Sequence, residues 1–293
     1  MTNTLIILAG GASSRMKKST ASALSEEMVA QANTRSKALI LLHDRPMLDY
    51  VLYAAKQAGI TDVIIVIHPK GTLFKEYYGT KDHGNNFHGL TLSYAVQHIP
   101  KDREKPLGTA DAVLQAMEQY PSLKSDSFLV CNSDNLYSTK AFFALRETKN
   151  AHAFLNYDRD ALQYPMERIA RFALTKTDAE GYLQDIIEKP DASRVEAYKN
   201  PDGTFRVSMN IFKFEGASFY PYVKECPIHP ERQEKELPTA ILAMVTDHPK
   251  SMLAIPFEEH VPDLTGKDDI FILNAYLSTH IPTLDWDQQP LDL

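Results

Sequence analysis

Two glycines, two serines and an arginine crowd into Ala9-Gly10-Gly11-Ala12-Ser13-Ser14-Arg15-Met16. Glycines let backbone N–H groups approach a phosphate, the hydroxyls of Ser13 and Ser14 add donors, and Arg15 supplies a fixed countercharge. The order is neither GxGxxG nor GxxxxGK[ST], which disfavours a dinucleotide fingerprint and a P-loop. The histidines show no HxH or HExxH spacing, and Cys131 and Cys226 form no CxxC. Histidine- or thiolate-bound metal and a disulfide framework are therefore disfavoured.

A phosphate loop works only when something rigid holds it. The run Thr4–Ala9 (TLIILA) feeds directly into the loop, and Asp62–His68 (DVIIVIH) and Ser127–Cys131 (SFLVC) repeat its character. Continuous apolar runs of this length suit strands buried on both faces, as in a parallel sheet. Helical patterns lie between them, at Pro46–Ala58 and Thr109–Gln119. Strand and helix in alternation imply right-handed βαβ units, so the expected fold is α/β with a doubly wound, mostly parallel, Rossmann-like sheet. Ligands of such sheets bind beyond the carboxyl ends of the strands, where this loop sits.

After about residue 150 the pattern becomes β-rich. Ala151–Tyr157, Arg168–Thr175, Tyr182–Glu188 and Arg206–Phe214 read as strands separated by turn residues, which predicts a β-rich subdomain. Helical patterns return at Gln233–Thr246 and Asp268–Ser278, with a strand-like Met252–Pro256 between them. Residues 17–36 are rich in Ser, Ala and Thr without an aromatic, and read as a mobile excursion with a short helix capped by Ser25.

Composition narrows the class of partner. The 293 residues are 44% hydrophobic and 24% charged, an ordinary globular composition, with a net charge of −7. Such a balance argues against coating nucleic acid or an anionic membrane and leaves a small-molecule partner. The early apolar run Leu5–Ala9 is too short to span a bilayer and lacks a secretory pattern, so a cytoplasmic location is expected. These features do not decide between a monomer and a homo-oligomer.

The loop LAGGASSRM, followed by Ser36-Lys37-Ala38-Leu39 and Arg45-Pro46-Met47-Leu48, resembles the opening of the nucleotidyltransferases that activate sugar 1-phosphates. Tyr94-Ala95-Val96-Gln97 and Gly108-Thr109-Ala110 resemble that family's base-reading strand and loop, and Ser133-Asp134 its metal site. Glu188-Lys189-Pro190 is similar to its sugar-phosphate motif, and Pro262-Asp263-Leu264-Thr265-Gly266 to the segment carrying a second metal aspartate. The likeness runs over about residues 4–280. It implies a single domain across residues 1–293 with the nucleotide-diphospho-sugar transferase fold. Its nucleotide half would take about 1–150 and its substrate half 151–257, leaving 258–293 for the second aspartate and a C-terminal helix.

The same resemblance implies the roles. The partners would be an NTP and a phosphorylated small-molecule acceptor, with Mg2+ as cofactor on Asp134 and Asp263. Arg15 would hold the departing phosphates, Lys37 the α-phosphate and Lys189 the incoming phosphate of the acceptor. Backbone groups of Leu8, Ala9, Gly10 and Gly11, the hydroxyls of Ser13 and Ser14, and Gln97, Gly108 and Thr109 would hold the nucleotide, and Glu188 would face the acceptor; Asn210, outside the family's pattern, would either reach the acceptor too or bond neighbouring strands. A phosphate monoester dianion is already nucleophilic at neutral pH, so no general base is required.

The chain also departs from the family. Ser133 replaces the usual glycine, residues 98–107 are longer than usual, and Asn210 stands about where many relatives have glycine. The alternatives are a cytidylyltransferase for phosphocholine or a phosphorylated polyol, a glycosyltransferase of related fold, and a non-catalytic nucleotide-sugar-binding regulatory module. Residues 17–36 are expected to close over the triphosphate as a lid.

Overall fold

A computed structural model describes residues 1–20 and 24–287. Its contacts divide the chain into two compact units. The first comprises Asn3–Pro106, Asn132–Phe143 and Pro262–Leu293; the second comprises Met1–Thr2, Leu107–Cys131 and Ala144–Val261. The division does not follow chain order, because residues 107–131 pack with 144–261.

In the first unit the parallel strands expected from the apolar runs are present. Thr4–Leu8 pairs in parallel with Asp62–Ile67, in register from Thr4 opposite Asp62 to Leu8 opposite Val66. Asp62–Ile67 pairs in parallel with Leu90–Val96, and Asn85–Phe87 adds an antiparallel edge. Leu5, Ile6 and Ile7 are fully buried, each contributing roughly 1.5–3 kcal/mol of burial. The helix Met47–Gln57 starts after Pro46 and buries Leu48, Val51, Leu52 and Ala55 on one face.

The second unit is largely antiparallel. Its central strand, Arg206–Glu215, pairs antiparallel with Ser127–Asn132, His152–Asp158 and Ala173–Thr177. Leu183–Ile187 extends the sheet from Ala173–Thr177, and Met252–Phe257 runs parallel to His152–Asp158. The fold class is α/β, with a Rossmann-like parallel sheet and a β-rich region, as the patterning implies.

Two expectations need correction. The strand expected from Arg168 starts only at Ala173, because Met166–Ile169 closes a helical turn behind Pro165. The helix expected from Gln233 starts at Leu237, with proline in its first turn, while Gln233 and Glu234 bond His229, Lys235 bonds Leu107 and Glu236 pairs with Arg232. The short helix expected within 17–36 is present: Glu26–Thr34 forms a helix whose Ser25 Oγ accepts the Met28 amide at 3.3 Å, with Lys37–Leu39 following as a 3₁₀ turn. Residues 21–23 of that excursion lie outside the described residues. Among the described residues, no helix is long and apolar enough to cross a membrane.

Candidate functional site

In the first unit, the loop leaving Thr4–Leu8 is tied down by backbone and side-chain bonds. The Ala9 amide donates to Val66 O (2.9 Å), the Ser133 amide to Leu8 O (3.3 Å), and Ser36 Oγ to Ala9 O (3.4 Å). Gly10 lies against the buried Gln97, whose Oε1 would be 2.9 Å from a Cβ at position 10. Ser13 takes a left-handed φ of 53° and opens the short helix Ser14–Lys18. That helix buries Met16 and leaves Arg15 exposed. At the end of the neighbouring strand, burial, with Lys70 and Lys17 nearby, holds His68 below the usual imidazole value.

Lys37 and Asp134 meet in this unit: Nζ donates to Oδ2 at 2.8 Å, with the side chains 11% and 26% exposed. Asp263 comes beside them through its backbone. Asn135 and Asp263 form an antiparallel bridge, the Leu264 amide donates to Asp134 O (2.8 Å), and the Leu136 amide donates to Pro262 O (2.8 Å). Thr265 Oγ1 donates to Asp263 Oδ1 at 2.7 Å, which orients that carboxylate.

Each of these polar residues has an apolar anchor close by in sequence. Met16, Ile40, Leu136 and Leu264 join one buried cluster with Ile270, Leu273 and Leu277. Arg15, Lys37, Asp134 and Asp263 are thus placed from a shared core rather than from free loops. Close packing makes such a core stiff, and stiffness is what preorganised electrostatics requires.

Asp134 and Asp263, brought close through the backbone and offering oxygen alone, would suit a hard cation such as magnesium, which takes one or two protein carboxylates and fills the rest of its shell with phosphate and water. Among the described residues no group of three or more His, Cys, Asp or Glu forms a closed cage.

The other expected residues belong to the second unit. Gly108 precedes the helix Thr109–Gln119 with φ 117°, and a Cβ there would lie 2.3 Å from Lys235 O. The surrounding bonds make a clamp: Lys235 N to Leu107 O (2.6 Å), Ala110 N to Lys235 O (3.0 Å) and Leu237 N to Thr109 Oγ1 (2.9 Å). The Thr109 hydroxyl oxygen therefore also serves the protein itself. Sequence patterning missed Lys235, because its role is carried by backbone groups that leave no residue-type signal.

Glu188 and Lys189 follow the strand Leu183–Ile187 and line a cleft of about 450 Å³. His229, Arg232, Glu236, Pro238 and Arg194 line it as well. Arg232 and Glu236 form an ion pair within that lining. No Phe, Tyr or Trp is among the described lining residues. Asn210 sits at an irregularity in the pairing of Arg206–Glu215 with His152–Asp158, and its φ of 58° is the conformation glycine adopts readily. Asparagine tolerates that conformation better than most residues.

Comparison with known sequences places this geometry. The nucleotidyl transferase family matches residues 4–277, nearly the whole chain. The chain is 24% identical over 172 residues to the D-glycero-alpha-D-manno-heptose 1-phosphate guanylyltransferase of Aneurinibacillus thermoaerophilus, covering 59% of this chain and 62% of that protein. It is 27% identical over 186 residues to the glucose-1-phosphate thymidylyltransferase of Neisseria meningitidis, covering 63% and 55%. It is 24% identical over 276 residues to the bifunctional protein GlmU of Staphylococcus epidermidis, covering 92% and 51%. The chain spans about half to three fifths of the length of these relatives. The match over residues 4–277, nearly the whole chain, means that the chain belongs to the nucleotidyl transferase family.

Proposed function

We propose that this protein transfers a nucleoside monophosphate from an NTP to a sugar 1-phosphate, giving an NDP-sugar and pyrophosphate. The observation that carries the reading is the cluster of Lys37, Asp134 and Asp263 beside the glycine loop, held by bonds between segments about 100 residues apart or more. Two polyanions must be brought in line, so mutual repulsion is the main obstacle. Arg15 holds the departing β- and γ-phosphates, and Lys37 neutralises the α-phosphate as its charge redistributes. To do so, Lys37 exchanges part of its bond to Asp134 for phosphate oxygen. Asp134 and Asp263 hold magnesium, which supplies charge neutralisation at the phosphates. Lys189 holds the acceptor phosphate and Glu188 accepts hydrogen bonds from its hydroxyls. Fixed cations do the work without reorganising as charge moves.

The composition of the cleft supports a polyhydroxylated acceptor over phosphocholine. Quaternary ammonium groups are recognised by aromatic faces, whereas this lining offers carboxylates, a lysine and arginines that pair with hydroxyls and phosphate. The relatives named for heptose 1-phosphate and glucose 1-phosphate point to the same acceptor class. Their names carry different bases, so the base is not transferred from them. A cytoplasmic location follows from the need for NTP.

A matrix of the four common NTPs, with magnesium, against a panel of sugar 1-phosphates tests the reading. Pyrophosphate release in at least one combination is expected. Folded protein that is silent across the whole matrix would sink it.

A further inference from the structure

We infer that Lys267 is a positioning residue for nucleotide binding, joining the turn that carries Asp263 to the helix that carries Arg15. The inference rests on the nucleotidyl-transfer reading, in which Arg15 faces the phosphates and Asp263 the metal. Lys267 is only 4% exposed, which is unusual for a lysine. Its Nζ donates to Lys17 O at 3.1 Å and Ser19 O at 2.5 Å, and its backbone amide donates to Ser19 Oγ at 3.0 Å. Ser19 Oγ donates in turn to Met16 O at 2.9 Å.

These acceptors lie at the end of the helix Ser14–Lys18, where the last carbonyls have no partner within the helix. A lysine side chain satisfies such carbonyls well. Burying an ammonium is costly unless its hydrogens are met, and charge-assisted bonds are about twice as strong as neutral ones. The contact therefore holds both partners firmly, and it does so across 250 residues of sequence.

The other end of the link is equally fixed. The Asp269 carboxylate accepts the amides of Thr265 (2.8 Å) and Gly266 (2.7 Å), which closes the turn, while Thr265 Oγ1 holds Asp263. Asp263 and the anchor of the Arg15 helix thus belong to one rigid turn. A shift of this turn would move the candidate metal ligand and the candidate phosphate ligand together.

The test is Lys267→Met beside Lys267→Arg, read by Mg-NTP binding and by steady-state kinetics well below the melting temperature of each variant. Lys267→Met should raise KM for NTP and the magnesium concentration for half-activation together, by about tenfold or more, with the acceptor KM unchanged. Lys267→Arg should recover part of both. A Lys267→Met protein with a lower melting temperature but wild-type NTP and magnesium dependence would make the residue merely structural and overturn the inference. Should Lys267→Met not fold, Ser19→Ala must show the same paired rise in milder form; wild-type values there overturn it equally. Absence of NTP binding by the unmodified protein would remove the underlying reading and this one with it. Wild-type NTP binding with unaltered variants removes the role of Lys267 alone.

Discussion

Lys37 Nζ and Asp134 Oδ2 lie 2.8 Å apart although 97 residues separate them in the chain. Charge removal from either side should therefore be felt in stability as well as in turnover. Asp134→Ala leaves a buried ammonium without its carboxylate, a loss of about 2 kcal/mol after allowing for the partial exposure of the aspartate. Lys37→Met should lower turnover by about 10²–10³-fold, and Asp134→Ala by at least as much. In urea unfolding, the double variant should recover part of the stability lost by Asp134→Ala, because no unpaired charge remains. Strict additivity would rule out the coupling.

Gly108 permits no side chain. Its φ is 117°, and a Cβ would stand 2.3 Å from the Lys235 carbonyl, a backbone atom that cannot rotate away. Gly108→Ala should cost more than about 2 kcal/mol and weaken the bonds joining Leu107, Ala110 and Leu237 to their partners. A thermal melt separates this from a neutral change. An unaltered melting temperature would show that the clamp yields at no cost.

Asn210 separates a backbone role from a side-chain role. With φ at 58°, Asn210→Gly should leave stability nearly unchanged, whereas Asn210→Ala should cost about 1 kcal/mol. If the amide also reaches the acceptor, as expected from the sequence, Asn210→Gly should raise the acceptor KM while the NTP KM stays put. Unchanged kinetics in a stable Asn210→Gly protein would assign the residue to the backbone alone.

His152 should make stability depend on mildly acidic pH. Burial is the main cause that pushes its pKa down to about 4, with Glu215 opposing and Lys213 reinforcing the shift. Its Nδ1 accepts the Glu215 amide at 3.3 Å, so the neutral ring carries its proton on Nε2, 2.9 Å from Ser218 Oγ. Between pH 6.5 and 4 the unfolded chain binds a proton that the folded chain refuses. The contribution is thus complete above pH 6.5 and is lost as pH falls through 4, amounting to about 3 kcal/mol. Urea unfolding at pH 7 and pH 4.5 should show the loss, and His152→Gln should flatten it. Equal slopes in both proteins would rule out His152 as the source.

Most of the framework was legible in residue order. The buried strands Thr4–Leu8, Asp62–Ile67 and Ser127–Asn132 announce themselves because burial on both faces demands unbroken apolar runs. The glycine loop was legible because close backbone approach demands glycine. Met166–Ile169 was not, since a single helical turn behind a proline carries too few residues for a period. The start of Leu237–Asp247 was misplaced for another reason: the polar run before it resembles a first helical turn, while its backbone is already bonded to Leu107 and Ala110.

The amino-acid sequence by itself determined the α/β character, the glycine loop after the first strand and the order of the short motifs that resemble the family. These depend on residue type and local spacing, which the chain carries openly. Only the tertiary structure decided that Lys37 pairs with Asp134, that Asp263 is bridged beside them through Asn135, and that Lys267 is buried against Lys17 and Ser19. A lysine in a charged stretch looks like any surface lysine until folding removes it from water. Its role then depends on carbonyls that are orphaned only because a helix ends there, 250 residues earlier.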